Sequence, residues 1–291
     1  MIPQSFEFRK QWIAICKRPD PLLAHLCCSK FKNKMELSNN TILITGGTSG
    51  FGLEFAARLI DLGNTVIITG RDQAKLERTK KQLPSVHIFQ SDVSDPDVIV
   101  ELRDKITSRF PNLNMLINNA GQMRKIILHD VTIAVSDITR EVETNLMGPI
   151  RMVQAFLPHL KKMESAAILN VTSGLALVPF PIAPIYGATK SGLRSYTKSL
   201  RVQMKNTKIK VFELIAPAAE TPLNGEFTSL EGYNVKLMQP EEVIEAAIKG
   251  LKSDTYEIYP GIARVLLMMS RVAPGFIFKQ LSKAGAREMA G

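Results

Sequence analysis

The sequence is poor in cysteine and histidine, and it contains no repeat or low-complexity tract. Among 291 residues there are three cysteines, Cys16, Cys27 and Cys28, and four histidines that stand far apart from one another. These shortages argue against a disulfide framework and against a zinc site with regularly spaced ligands. We therefore expect no metal ion in this protein.

Positive charge is in excess, but it is not gathered into one binding surface. The formal net charge is +10, and half of that excess falls within residues 1–34. The other basic residues are scattered, without the interleaved aromatic side chains that nucleic-acid-binding surfaces use. We expect no nucleic-acid partner.

Residues 1–34 are predicted to lie outside the folded part of the chain. Their apolar stretch, 12–16, is too short for a secretory signal, and two basic residues follow it at once. We interpret 1–34 as a basic extension that is disordered or non-native, with a membrane-touching arm as the alternative. The remaining 35–291 has a composition typical of a single α/β domain, which we expect to be cytoplasmic.

A glycine-rich turn follows the first predicted strand. The apolar run 41–45 leads into GGTSGFG, and apolar residues then recur at helical spacing up to Gly63. In this context Gly46 permits the tight turn, Gly50 lets the backbone approach a pyrophosphate, and Gly52 lets the helix pack closely on the sheet. The helix N-terminus would offer free N–H groups to the anion. Further strands are predicted at 65–69, within 86–95, and at 113–121, 166–173, 209–216 and 256–259.

The end of the second predicted strand bears on the choice of dinucleotide. An acidic residue there accepts hydrogen bonds from the ribose hydroxyls of NAD, whereas an arginine accommodates the 2′-phosphate of NADP. The sequence has Gly70 followed by Arg71, which favours NADP(H). Asp72 leaves NAD(H) as the alternative.

A serine, a tyrosine and a lysine are spaced for proton transfer. Ser173 ends the apolar run 166–173, at the edge where parallel sheets bind ligands. Tyr186 and Lys190 are four residues apart at the start of a predicted helix, so their side chains share one face. An adjacent ammonium stabilises phenolate, and we therefore expect Lys190 to lower the pKa of Tyr186 below its usual value of about 10.

Taken together, these elements resemble the short-chain dehydrogenase/reductase family. Its Thr-Gly-x-x-x-Gly-x-Gly, Ser and Tyr-x-x-x-Lys elements appear here in the family's order, and the resemblance covers about 37–260. The runs NNTILITGGTSGFG, NMLINNAG, FLPHL and NVTSGLA look closest to the DltE-like oxidoreductase branch. The resemblance implies an α/β fold: a Rossmann-type doubly wound sheet of about seven parallel strands with helices on both faces.

The resemblance also implies the site residues. The catalytic set would be Asn145, Ser173, Tyr186 and Lys190. The cofactor-binding set would be Gly46, Thr48, Ser49, Gly50, Phe51, Gly52, Arg71, Asp92, Val93, Asn119, Ala120, Gly121, Tyr186, Lys190 and Thr221. The chain departs from the family at Ala216 and Pro217, where the loop usually begins with Pro-Gly.

The implied activity is hydride transfer between NADP(H) and a carbonyl/alcohol pair, with Tyr186 as general acid/base. A regulator that binds the cofactor without turnover is the alternative, since a fold does not dictate function. The retained catalytic set favours the enzyme. We expect an apolar small-molecule substrate, because apolar residues flank the site and would line its pocket. The alternative is that they belong to the core or to dimer contacts. They are Leu175, Leu177, Val178, Phe180, Ile182, Leu223 and Phe227.

The C-terminal segment, about 261–291, is predicted to form a helical flap. A helix over 262–272 would place Val265, Leu266, Met269 and Val272 on one side. It is too short and too charged to span a bilayer. We expect it to cover the substrate pocket or contact another subunit of a homodimer or homotetramer, and peripheral membrane contact is the less favoured alternative.

Overall fold

A computed structural model of the chain describes residues 35–129, 132–227 and 236–283, together with Ala286 and Met289. The chain from Met35 onward forms a unit separate from 1–34. The predicted extension, 1–34, and the end of the predicted flap lie outside the described residues. Both therefore stay predictions.

The predicted sheet is confirmed as seven parallel strands. They are β1 (Thr41–Thr45), β2 (Thr65–Gly70), β3 (His87–Gln90), β4 (Leu113–Asn118), β5 (Ala166–Ser173), β6 (Ile209–Ala216) and β7 (Glu257–Ile258). Their order across the sheet is β3-β2-β1-β4-β5-β6-β7, and each adjacent pair is parallel. The order reverses between β1 and β4, and open α/β sheets bind ligands outside the carboxyl ends of the strands at such a reversal.

Helices cover both faces of the sheet. They are α1 (Gly50–Asp61), α2 (Gln73–Gln82), α3 (Pro96–Arg109), α4 (Val135–Ile138), α5 (Arg140–Val142), α6 (Gly148–Leu160), α7 (Pro184–Gln203), α8 (Pro240–Lys252), α9 (Ala263–Val272) and α10 (Pro274–Leu281). Helices α1 and α8 bury apolar side chains such as Phe55 and Val243 against one face. Helices α3, α6 and α7 bury others, among them Leu102, Phe156 and Leu200, against the opposite face. Strands β1, β2, β4, β5 and β6 are buried on both faces, which explains their continuous apolar runs.

A π turn, Glu143–Met147, lies between α5 and α6 and interrupts an otherwise helical segment. Pro149 has no N–H to donate to the carbonyl four residues earlier, which is that of Asn145. A local π turn accommodates such a missing bond. It fixes Asn145 in the widened turn, where its side chain is fully buried.

A buried ion pair ties α7 to the sheet. Glu213, in β6, is fully buried, and its two carboxylate oxygens each lie 2.9 Å from Nη1 of Arg194. Thr172 donates a hydrogen bond of 2.7 Å to the same carboxylate. Nη2 of Arg194 also donates to Glu257 at 3.2 Å and to the Tyr259 hydroxyl at 2.8 Å. Burial raises the pKa of Glu213, and the bonds from Thr172 and Arg194 oppose that rise.

We predict that Arg194→Ala destabilises the fold strongly, because it leaves a buried carboxylate without its counter-charge. The loss in the free energy of unfolding should be about 3 to 5 kcal/mol, measured by urea denaturation. Part of the loss should be regained as the pH falls. An acid whose pKa is raised in the folded state binds more protons when folded, so protonation of Glu213 favours folding.

The matched control is Arg103→Ala, which removes the partner of an exposed pair 2.7 Å from Asp104. Exposed pairs contribute about 0 to 1 kcal/mol, so the control should change little. Equal losses in the two variants would contradict a structural role for the buried pair.

Candidate active site

A cavity of about 930 Å³ lies at the carboxyl edge of the sheet. The predicted site residues that line it are Gly46, Thr48, Ser49, Gly50, Phe51, Arg71, Asp92, Val93, Asn119, Ala120, Gly121, Ser173, Tyr186, Lys190 and Thr221. Gly52 and Asn145 are not among the lining residues. The structure thus places nearly all of the predicted site residues around one cavity.

The glycine turn after β1 adopts backbone that favours glycine. Gly46 has φ +68° and Gly50 has φ +51°. Gly52 packs so closely that a Cβ placed on it would come within 2.1 Å of the Gly46 carbonyl oxygen. A Cβ on Gly50 would approach the Thr221 side chain to 3.2 Å. These three positions explain why the turn reads GGTSGFG, and they hold the N-terminus of α1 against the cavity.

The end of the cavity where β2 and β3 stop has polar atoms to offer a ligand. Among the described residues, the hydroxyls of Thr69 and Ser91 are buried without a hydrogen-bond partner, and both residues line the cavity. Buried polar groups are normally paired, so unpaired ones beside a cavity indicate a missing partner. Together with the glycine cradle, they fit a dinucleotide. Within the described ranges, no group of three His, Cys, Asp or Glu side chains is placed to hold a metal ion.

The tyrosine and lysine lie on one face of α7, as predicted. The helix begins at Pro184, and both side chains are buried, with exposures of 5% for Tyr186 and 3% for Lys190. Nζ of Lys190 lies 5.7 Å from the centroid of the Tyr186 ring and donates to the Val171 carbonyl at 2.9 Å. Ser173, at the end of β5, accepts a bond of 3.1 Å from the Leu175 N–H.

Burial shifts both pKa values, and the direction predicted for Tyr186 is wrong. Burial raises the pKa of Tyr186 to about 12; the bond with Ser173 opposes this rise, and the charge of Glu141 adds to it. Burial also lowers the pKa of Lys190 to about 8. A charged form is costly to bury for either group, and this cost exceeds any help that a nearby ammonium gives to phenolate. The phenol is neutral at physiological pH.

Asn145 connects the π turn to the segment after β4. Its Oδ1 accepts from the Gln122 N–H at 2.9 Å, and its Nδ2 donates to the Gln122 carbonyl at 2.8 Å and to the Thr189 hydroxyl at 3.3 Å. A Cβ on Gly121 would lie 3.4 Å from Oδ1 of Asn145 and 3.6 Å from Nζ of Lys190. Asn145 and Lys190 therefore approach one stretch of backbone, although Asn145 stands behind the cavity wall.

The end of β4 is held to β1 by side chains. Nδ2 of Asn119 donates to the carbonyls of Thr45 and Gly46, both at 3.0 Å. The Thr45 hydroxyl accepts from the N–H groups of Asn119 and Ala120. One residue earlier, Asn118 donates to Asn170 of β5 at 2.8 Å. These bonds join the ends of β1 and β4 and tie the end of β4 to β5.

Two features of the site were missed from the sequence. Lys75 lines the cavity beside Arg71, and its N–H bonds the Asp72 carboxylate, which caps α2. The sequence signal for Lys75 is its position three residues after Asp72, an aspartate that could cap the following helix. Glu141 is fully buried; it accepts from the Arg124 N–H at 3.1 Å, and burial raises its pKa. No sequence signal distinguishes Glu141 from an exposed helical glutamate.

The rest of the cavity wall is mainly apolar, although Gln280 and Lys283 also line it. Of the predicted substrate residues, Leu175, Phe180, Leu223 and Phe227 line it, whereas Leu177, Val178 and Ile182 do not. The C-terminal segment adds Ile262, just before α9, with Leu266 of α9 and Ile277 and Leu281 of α10. The predicted common side of α9 is wrong in part, because Leu266 points into the cavity whereas Val265 and Val272 are exposed.

Comparisons with known proteins agree with this geometry. Residues 40–232 match the model of the family described as short chain dehydrogenase. An uncharacterised oxidoreductase of Bacillus subtilis, DltE, is 41% identical over 77% of this chain and 89% of its own length. A fatty acyl-CoA reductase of Acinetobacter baylyi is 30% identical over 77% of this chain and 82% of its own.

A solved structure shows the same relationship. The 3-ketoacyl-(acyl-carrier-protein) reductase of Brucella melitensis, complexed with NADH, is 31% identical, with a TM-score of 0.67 over 74% of this chain and 91% of that one. The family match covers more than half of the chain, and the fold and the cavity both agree with it. The chain therefore belongs to the short chain dehydrogenase family of nicotinamide-dependent oxidoreductases.

Proposed function

We propose that this oxidoreductase uses NADP(H) to interconvert a carbonyl and an alcohol on an apolar small molecule, with Tyr186 as general acid/base. The observation that carries the proposal is the meeting of Ser173, Tyr186 and Lys190 on the wall of one cavity. The dinucleotide would lie along the glycine turn and the ends of β2 to β4, reaching Thr221. When bound, the nicotinamide supplies or accepts the hydride.

Tyr186 holds the proton that the reaction moves. With a pKa raised to about 12, the phenol is protonated at neutral pH and can donate to a carbonyl oxygen. Ser173, which hydrogen-bonds the same phenol, would steady that oxygen. Lys190, with a pKa of about 8, can exchange protons near neutrality, and Asn145 fixes the backbone beside it.

Two cations favour NADP(H) over NAD(H). Arg71 and Lys75 are exposed at the end of the cavity formed by β2 and α2. The neighbouring carboxylate of Asp72 already accepts the Lys75 N–H as the helix cap. Paired cations suit a 2′-phosphate, because each charge-assisted hydrogen bond contributes about 1.5 to 3 kcal/mol.

An apolar substrate fits the other half of the cavity. Its wall combines Leu175, Phe180 and Phe227 with Leu266 and Leu281 from the C-terminal helices. Ligand sites of this kind bind apolar surface and orient it through a few polar groups, here Ser173 and Tyr186. The name of the Acinetobacter relative, fatty acyl-CoA reductase, is consistent with this class of substrate.

A panel of apolar aldehydes and ketones, with small charged hydroxy acids as the comparison, tests the activity. We expect NADPH consumption, followed by absorbance of the reduced nicotinamide, to be fastest with the apolar carbonyls. Faster turnover of the charged compounds would refute the substrate class. Bound NADPH with no turnover of any compound would support the regulator instead.

Tyr186→Phe should abolish turnover while leaving NADPH binding intact, because only the transferable proton is removed. The expected fall in kcat is about 10²-fold or more. Tyr196→Phe is the matched control, since Tyr196 lies on the same helix and does not line the cavity. A Tyr186→Phe variant that kept the wild-type rate would exclude Tyr186 as the acid.

Arg71→Ala should weaken NADPH binding by about tenfold or more, and adding Lys75→Ala to that variant should weaken NADPH binding further. NADH binding should change little in both variants. Isothermal titration with each dinucleotide measures both effects. Lys81→Ala, an exposed cation on α2 that does not line the cavity, is the control. Equal wild-type affinity for NADH and NADPH would contradict the preference.

A further inference from the structure

The C-terminal helices expose an unusual amount of apolar surface. Of the ten large apolar side chains that are well exposed among the described residues, six belong to 262–278; they are Ile262, Val265, Met268, Val272, Phe276 and Phe278. Val272 is 77% exposed, and Met268 and Phe276 are each 56% exposed. Single exposed apolar residues are ordinary, but a concentration on two adjoining helices marks a contact surface.

The same surface is basic and contains no acid. Arg264, Arg271 and Lys279 are all exposed, and 261–283 includes no Asp or Glu. Helices that lie on membranes combine apolar side chains with arginine and lysine in this way. The charge therefore complements an anionic partner.

The inner side of these helices already has a role. Leu266, Ile277 and Leu281 line the cavity, and a Cβ on Gly174 would come within 2.9 Å of Leu266. One pair of helices thus covers the cavity on one side and presents the exposed surface on the other. We call that exposed surface, made by Val265, Met268, Val272, Phe276 and Phe278 with the neighbouring cations, the outer face.

We propose that the outer face docks on an anionic lipid surface, with the cavity directly behind it. The apolar side chains would enter the interfacial layer, and Arg264, Arg271 and Lys279 would contact the headgroups. No helix in the described part of the chain is long and apolar enough to cross a bilayer. The contact is therefore peripheral.

The charge of the outer face argues against a second copy of the chain as its partner. In a two-fold dimer the same patch meets itself. Arg264, Arg271 and Lys279 would then face identical cations, with no carboxylate from 261–283 to balance them. Anionic headgroups supply the missing charge.

Docking would let an apolar substrate pass between the lipid layer and the cavity with little exposure to water. This consequence rests on the proposed function, but the docking itself does not. Binding to vesicles is measured without turnover, so failure of one proposal is distinguishable from failure of the other.

The test is sedimentation of the full chain with vesicles of phosphatidylcholine alone or of equal parts phosphatidylcholine and phosphatidylglycerol. We expect the protein to pellet only with the anionic vesicles and to be released at high salt. Arg264→Glu/Arg271→Glu should lower the partition coefficient at least about tenfold, and Met268→Ser/Val272→Ser should lower it as well. Neither variant changes a residue that lines the cavity.

The matched control is Val100→Ser/Arg103→Glu on α3, which removes an exposed valine and reverses an arginine elsewhere. It should sediment as the wild type does. Wild-type protein that stays in the supernatant with anionic vesicles overturns the proposal. Pelleting that the outer-face variants do not reduce also overturns it, because the contact would then lie elsewhere, such as in 1–34. A lipid-free dimer that Met268→Ser/Val272→Ser dissociates would also overturn it, in favour of a subunit contact.

Discussion

The site depends on seven parallel strands ending at one edge of the sheet. Parallel strands place their carboxyl ends together, and here polar side chains tie β4 to its two neighbours near that edge. Asn119 holds β4 to β1, and Asn118 holds β4 to β5. The buried pair of Arg194 and Glu213 holds α7 against β6, and α7 carries Tyr186. The groups that we propose to transfer the proton therefore take their positions from the sheet.

Burial then sets the chemistry of those groups. The charged forms of Tyr186 and Lys190 are both costly in the cavity wall, so the pKa of the phenol rises and that of the ammonium falls. Glu141 adds negative charge behind the tyrosine. In the proposed reaction, the neutral phenol would give a proton to a carbonyl oxygen, and a lysine that titrates near neutrality would return one.

Most of the fold and site followed from local signals in the sequence. The strands stood out as apolar runs, the glycine turn by its spacing, and Tyr186 and Lys190 by their four-residue separation. What local signals did not reveal depended on tertiary context: the burial that reversed the expected pKa shift, the π turn at Asn145, and the two-sided role of α9. Sequence spacing shows which side chains share a face, but not how deeply neighbouring elements bury that face.

The central claim, that burial keeps Tyr186 a protonated acid, is tested most directly by spectroscopic titration of the cofactor-free protein. Phenolate absorbance would be followed as the pH is raised, in the wild type and in Tyr186→Phe, and the difference assigns the signal to Tyr186. The account predicts no Tyr186 phenolate at neutral pH and a midpoint near pH 12, above the usual value of about 10. A Tyr186 phenolate half-formed near neutrality would contradict it.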